Sequence, residues 1–311
     1  EDYAAGVVRP HEQTLSGPKA DRLKLLRATR ANLSSVFLLY EDPEQALAQT
    51  LGAALEGAAA VASEAADSEY TLVPLTDPAA VGRIQDFLSQ RPVVIADGHH
   101  RYETALAYRD ERRRAAPDAG SDAPFESTLA FFANAYAPGT LLLPIHRVVR
   151  KASVPTEAAW RRRLASWHQE VVPLPGPEAI DALLARHLAP LAGRPAFAAD
   201  DASGQLRVFS KREPLGDELL VRIVEREVLE GVFGLGGEAI REGAVAFPKS
   251  AVRAARDVRS GEGTVALYLN PLAPADVFRA TAAGERMPQK STFFYPKIPT
   301  GLVFRVHEDA A

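Results

Sequence analysis

The chain of 311 residues has no cysteine at all. That absence removes disulfides, thiolate nucleophiles and cysteine zinc sites together, and it fits an intracellular protein. No apolar run approaches the roughly 20 residues of a membrane span, and the first residues lack the basic start and apolar core of a secretion signal. A soluble, cytoplasmic protein is expected. There is no excess of one charge either: the net charge is −4 and the pI about 6.0. A direct nucleic-acid binder normally shows a strongly basic face, so this balance argues against one. The 23 prolines and 21 glycines follow no period, and no repeat or low-complexity tract is visible.

What is present is an alternation of helical and strand-like segments long enough for two lobes. The first helix is expected at 19–32, followed by a buried strand at Val36 to Tyr40. The alanine-rich stretch Pro43 to Ala66 reads as helix, and Tyr70 to Leu75 as strand. Asp77 and Pro78 form a helix start, with a capping carboxylate before a proline whose missing N–H costs nothing. That helix runs to about Gln90 and leads into the short apolar strand Val93 to Ala96. Apolar runs at Leu129 to Ala133 and Thr140 to Leu143 suggest a strand pair across Ala137-Pro138-Gly139. Helices at 155–168, 177–189, 216–230, 250–259 and 274–283 and strands near 195–199, 205–210, 244–247, 265–269 and 303–305 form a second cycle. The expected division is 1–150 and 151–311, both lobes α/β.

The chemistry concentrates at Asp97-Gly98-His99-His100-Arg101, between the strand from Val93 and a helix running to about Arg114. A glycine turn there leaves the first N–H groups of the helix pointing outward. The helix dipole adds partial positive charge, and the fork of Arg101 suits phosphate oxygens. His99 and His100 can donate as well. A bland reading weighs equally on spacing alone: Asp97 caps the helix, and Arg101 pairs with Glu103 or Glu111. Arg27 and Arg30, three apart on one helix, read as a surface stripe that could reach a phosphate. Arg109 with Arg112, Arg113 and Arg114 reads as a solvated face with mixed pairs, and Trp160 and Trp167 as core.

Asp97-Gly98-His99-His100-Arg101 with Ala105 resembles the phosphate-binding motif of the ParB/sulfiredoxin superfamily. Pro10-His11-Glu12-Gln13 upstream and Gly284-Glu285-Arg286-Met287-Pro288-Gln289-Lys290-Ser291-Thr292 near the C-terminus extend the likeness to the archaeal free serine kinases of that superfamily. More closely still, and over residues 1 to 311, the chain resembles a bacterial and archaeal family described as a domain of unknown function. Ala28-Thr29-Arg30-Ala31-Asn32 and Phe37-Leu38-Leu39-Tyr40 are typical of it. That family usually carries a further N-terminal segment, which leaves open a catalytic group outside this chain.

The resemblance implies a ParB/sulfiredoxin-like N-terminal lobe and a kinase acting on a free hydroxylated amino acid such as L-serine, in serine metabolism. It implies Glu12 as catalytic base, Asp97 as an active-site carboxylate and Mg²⁺ ligand, and Gly98, His99, His100 and Arg101 as the cradle for ATP or ADP phosphates, with His100 also in the catalytic group. It also implies that Lys290, Ser291 and Thr292 face the amino acid, in an acceptor pocket supplied by the C-terminal lobe. The kinases carry basic residues after that segment where this chain has Phe293 and Phe294, an apolar wall that admits acceptors bulkier than serine. Two rivals share the motif: a ParB-like nucleotide-binding regulator associated with DNA, which has no need of Glu12, and a phosphoserine phosphatase using water in the same pocket.

Overall fold

The computed structural model describes residues 2–12, 16–56, 60–65, 68–288 and 290–307. The chain divides into two compact units. The first comprises Glu1–Leu141, Val277–Met287 and Phe294–Ala311, and the second Leu142–Asp276 and Pro288–Phe293. The expected boundary near 150 thus lies inside the second unit, and two C-terminal pieces return to the first.

In the first unit a four-stranded sheet is built from β1 (Val8–Pro10), β2 (Val36–Tyr40), β3 (Val93–Asp97) and β4 (Ala130–Asn134), in the order β1-β3-β2-β4. β1 lies parallel to β3, β3 antiparallel to β2, and β2 parallel to β4. Every residue of the central strand β2 is buried, as a continuous apolar run on an inner strand requires. Helices α1 (Ser16–Thr29), α2 (Ala48–Leu55), α3 (Pro78–Ser89) and α4 (His99–Ala115) accompany the sheet. Val8, Val36, Leu38, Val93, Ile95 and Tyr102 form its core, with Ile84, Phe87 and Leu88 of α3 packed against them. Asp77 caps α3 as expected, accepting from the N–H groups of Ala79 and Ala80.

Four expectations for this unit are corrected. The helix over 43–66 contracts to α2, because the carboxylate of Asp42 accepts from Ala46 and Leu47 and delays its start, and because Val61–Ala65 pairs with Ser68–Leu72 as a hairpin. Alanine's helix preference is worth only tenths of a kcal/mol per residue, and a strand partner overrides it. Ala66 lies outside the described residues. The helix over 19–32 ends at Thr29, where Arg30 takes a left-handed conformation (φ 47°), and Ala31–Asn32 pairs with Arg305–Val306. The strand expected at 303–305 therefore belongs to the first unit. Finally, Leu129 to Ala133 makes no hairpin with Thr140 to Leu143, since β4 is taken in parallel by β2.

The second unit holds β5 (Arg147–Val149), β6 (His168–Pro173), β7 (Ala196–Asp200), β8 (Gln205–Ser210), β9 (Val245–Ala246) and β10 (Val265–Leu269). They form one antiparallel sheet in the order β6-β8-β7-β10-β5-β9. Successive side chains alternate between two cores. Val149, Phe197, Ala199, Phe209 and Leu267 join Trp160, Trp167, Val224 and Val228 on one face. Val148, Ala198, Val208, Ala266 and Tyr268 join Ile180, Leu188, Ala254 and Ala255 on the other. Trp160 is fully buried and Trp167 nearly so, which places both in the core as expected. The helix expected over 155–168 stops at Arg163, and His168 opens β6 in register with Ser210. The helices at 177–189 and 216–230 both widen into π-helical turns, Leu184–Leu188 and Val224–Glu230.

Gly263 turns the chain toward β10 so tightly that a β-carbon there would meet the side chain of Val148 and lie 3.1 Å from the carbonyl oxygen of Val149. Gly263→Ala is therefore expected to destabilise the protein by about 1–3 kcal/mol, the usual cost of overpacking. A urea midpoint equal to the native value would show that the turn yields without strain.

Candidate functional site

Because β1 and β3 are parallel, with Val8 opposite Val93 and Pro10 opposite Ile95, both strands leave the first unit's sheet at the same edge. In sheets with parallel strands, that edge is where ligands are usually held. The residues that follow the two strands meet there. The backbone N–H of His11 donates to Nε2 of His99 at 3.3 Å, and Nδ1 of His11 donates to the carbonyl oxygen of Ile95 at 2.6 Å. The two rings lie edge to face, 4.6 Å apart, and both are buried. A carbonyl only accepts, so the proton of His11 sits on Nδ1; Nε2 of His99 accepts, so the proton of neutral His99 sits on Nδ1. Burial, with a smaller contribution from His11, pushes the pKa of His99 down to about 3. His99 is thus a neutral tie between two strand ends, and its Nε2 is committed to His11.

Gly98 carries φ 94°, a conformation glycine reaches without cost. A β-carbon there would stand 2.8 Å from Nε and 2.9 Å from Nη2 of Arg101, so the guanidinium is folded back over the turn. Nη2 donates to Oδ2 of Asp97 at 3.0 Å and Nη1 to Oγ of Ser34 at 2.8 Å. Burial lowers the pKa of Arg101 against the opposing pull of Asp97, and a guanidinium remains charged. On the other oxygen of Asp97, Nζ of Lys297 stands at 3.6 Å. The N-cap of α4 is Gly98, and among the described residues Asp97 holds Arg101 and Lys297 rather than a backbone N–H of the helix, unlike the cap of the bland reading. Arg101 pairs with Asp97, whereas Glu103 takes Lys19 and Glu111 takes Arg27. Two cations, one carboxylate and a helix N-terminus leave this mouth net positive.

Glu12 follows directly on His11. Its Oε1 lies 3.7 Å from Nε2 of His11, and its carbonyl accepts from Nη1 of Arg286 at 3.1 Å. Met287 donates its N–H to the carbonyl oxygen of His11, and the ring of Phe294 lies 5.6 Å from that histidine. Glu12, Asp97, Gly98, His99, His100 and Arg101 therefore all belong to the first unit, with His100 half-buried in the first turn of α4. Lys290, Ser291 and Thr292 belong to the second. There Lys290 is exposed in a left-handed conformation (φ 60°), and Ser291 is buried with its hydroxyl donating to Pro288 at 2.5 Å. Phe293 takes Nζ of Lys249 over its ring at 3.7 Å, while Phe294 is buried. Gln13 and Gln289 lie outside the described residues.

Three contributors had no sequence signal of their own. Ser34 and Lys297 reach Arg101 and Asp97 from distant segments, and no spacing links them to the glycine turn. Arg286 stands inside the C-terminal signature, but its service to Glu12 depends on the return of Val277–Met287 to the first unit. Among the described residues no three His, Asp or Glu side chains are placed to hold a metal ion. Asp97, the expected Mg²⁺ ligand, has Arg101 on one oxygen and Lys297 near the other.

A family model described as "Protein of unknown function (DUF1015)" matches residues 1–211. No curated protein matches the chain. Among solved structures, "Free serine kinase in complex with AMP" is similar at 13% identity and a TM-score of 0.41, over 95% of this chain and 86% of that one. A conserved hypothetical protein from Pyrococcus furiosus is similar at 14% identity and a TM-score of 0.39, over 95% and 90% of the two chains. A C-terminally truncated SbnI from Staphylococcus aureus is similar at 10% identity and a TM-score of 0.40, over 93% and 79%. No helix among the described residues is long and apolar enough to cross a membrane.

The neutral His99 generates a prediction. The native state holds it unprotonated down to about pH 3, whereas an unfolded chain protonates near the ordinary 6.5. Between those values the unfolded state binds more protons. The contribution of His99 to stability is thus complete above about pH 6.5 and lost as pH falls toward 3, at up to about 1.4 kcal/mol per unit. His146, whose pKa burial pushes down to about 4, acts in the same direction. In urea unfolding followed against pH, His99→Gln should flatten the acid limb. A limb as steep as the native one would show that the proton is taken up elsewhere.

Proposed function

The chain belongs to the DUF1015 family, and we propose that it is a nucleotide-dependent phosphotransferase acting on a free hydroxylated amino acid such as L-serine, on a ParB/sulfiredoxin-like phosphate-binding unit. The observation that carries the reading is the shared exit of β1 and β3, which sets Glu12 beside a net positive helix mouth through the bond from His11 to His99. The resemblance of the three signatures to the free serine kinases supports the choice of reaction and acceptor.

Phosphoryl transfer asks a protein for positioning and for charge rather than for covalent chemistry. Arg101, held in place by Asp97 and Ser34, would take oxygens of the terminal phosphate of ATP or ADP, with the first N–H groups of α4 behind it. Lys297 adds a second cation on the other side of Asp97. The acceptor hydroxyl oxygen bonds to phosphorus, the bond to the leaving nucleotide breaks, and the hydroxyl proton passes to the carboxylate of Glu12. His11, buried and anchored to Ile95 and His99, fixes the backbone from which Glu12 projects.

Arg101→Ala removes the charge-assisted contact and should weaken ADP or ATP binding by about 1.5–3 kcal/mol in calorimetry. Unchanged affinity in a folded variant would rule out the phosphate role.

Glu12→Gln keeps the shape and removes the base, so serine phosphorylation should slow by roughly 10²–10⁴-fold with nucleotide affinity nearly constant. A ParB-like regulator would bind nucleotide through Arg101, form no phosphoserine and be indifferent to Glu12.

A further inference from the structure

Arg147 is the first residue of β5 and stands at a corner of the second unit's sheet. β9 pairs only with Val148 and Val149, while Arg147 itself is opposite Leu267 of β10. Its side chain is on the same face as that of Val149 and is fully buried. One nitrogen, Nη1, donates to the carbonyl oxygen of Ile145. The remaining edge, Nε with Nη2, is buried and has no hydrogen-bond partner among the described residues. The guanidinium carbon lies over the ring of Phe247 at 5.7 Å, a cation–π contact that leaves the hydrogen-bonding needs of Nε and Nη2 unmet.

An arginine stays charged near neutrality, and burial brings its pKa down only to about 10. Glu225 offsets part of this charge from a distance, but buried N–H donors without an acceptor are costly, so the free edge calls for an acceptor and suits an anionic one. Nε and Nη2 form the fork that takes both oxygens of a planar carboxylate. The neighbouring acid is Glu225, which interacts with Arg147 through its charge without reaching salt-bridge distance. Glu225 is half-buried near the start of the π-helical turn Val224–Glu230, with Arg222 one turn before it. π-turns of this kind recur at functional sites because they turn a side chain away from its ordinary helical direction. A cation fork and a carboxylate that feel each other's charge without forming a salt bridge are the two groups that the ends of a zwitterion require.

We infer that the second unit binds a free amino acid at this corner, the Nε–Nη2 edge of Arg147 taking its carboxylate and Glu225 its ammonium group. The inference rests on the phosphotransferase reading only for serine as first probe. Binding is measured without nucleotide, so its failure is separate from a failure of Arg101 or Glu12.

Thermal unfolding of the full chain with L-serine, ethanolamine and 3-hydroxypropanoate, the last two lacking the carboxylate and the amine, tests it. The melting temperature is expected to rise with serine and to rise less with either analogue. Arg147→Met, similar in length and uncharged, should melt at or above the native temperature without ligand and lose the serine shift. A purely structural arginine would instead lower the melting temperature when replaced. Glu225→Gln should bring the serine shift down to that of 3-hydroxypropanoate. The site is refuted if the native chain responds to none of the three compounds, if ethanolamine matches serine, or if Arg147→Met keeps the full serine shift.

Discussion

The first unit's site depends on one backbone conformation, the left-handed turn at Gly98. It lets β3 pass into α4 without a capping side chain, and the missing β-carbon is the space over which Arg101 lies. Any other residue would meet both a conformational penalty and the guanidinium itself. From this position Arg101 reaches Asp97 on its own segment and Ser34 on another, so the cation is held before any ligand arrives. Preorganised charge of this kind costs little reorganisation on meeting an anion.

The second element of the site is a buried polar contact between residues 88 apart in sequence. A neutral histidine accepting from a backbone N–H gives the two strand ends a fixed relation that apolar packing alone leaves free. The cost is titration: His99 remains neutral because it is buried, and acid works against that burial. Glu12 inherits its position from this contact, with Arg286 holding its carbonyl from a segment that returns late in the chain. Sheet geometry thus passes through a hydrogen bond into the placement of a carboxylate.

The second unit is organised differently. Its antiparallel sheet has two apolar faces, each covered, and its strands alternate between the two cores. Against that background the buried fork of Arg147 is an exception that packing does not explain. Trp160 Nε1 is likewise buried without a hydrogen-bond partner among the described residues, but the fork of Arg147 also carries a charge, which makes its burial the costlier of the two.

Much of this protein could be read from local pattern. The strand Val36–Tyr40, the capped helix from Pro78 and the passage from Val93 through Gly98 into a helix are set by short-range effects: apolar runs, a capping carboxylate, a glycine where φ must be positive. Composition likewise excluded thiol chemistry. What pattern misplaced was everything decided by a distant partner. Val61–Ala65 is a strand because Ser68–Leu72 lies against it, β4 pairs with β2 rather than forming a hairpin, and Arg305–Val306 joins Ala31–Asn32. The glycine turn and Glu12 were legible as motifs; Lys297, Ser34, Arg286 and the tautomers of His11 and His99 were not. The reason is physical. Propensity and capping act over a few residues, whereas pairing register, burial and the charge state of a buried ring depend on which remote segments fill the space around them, and only the folded chain decides that.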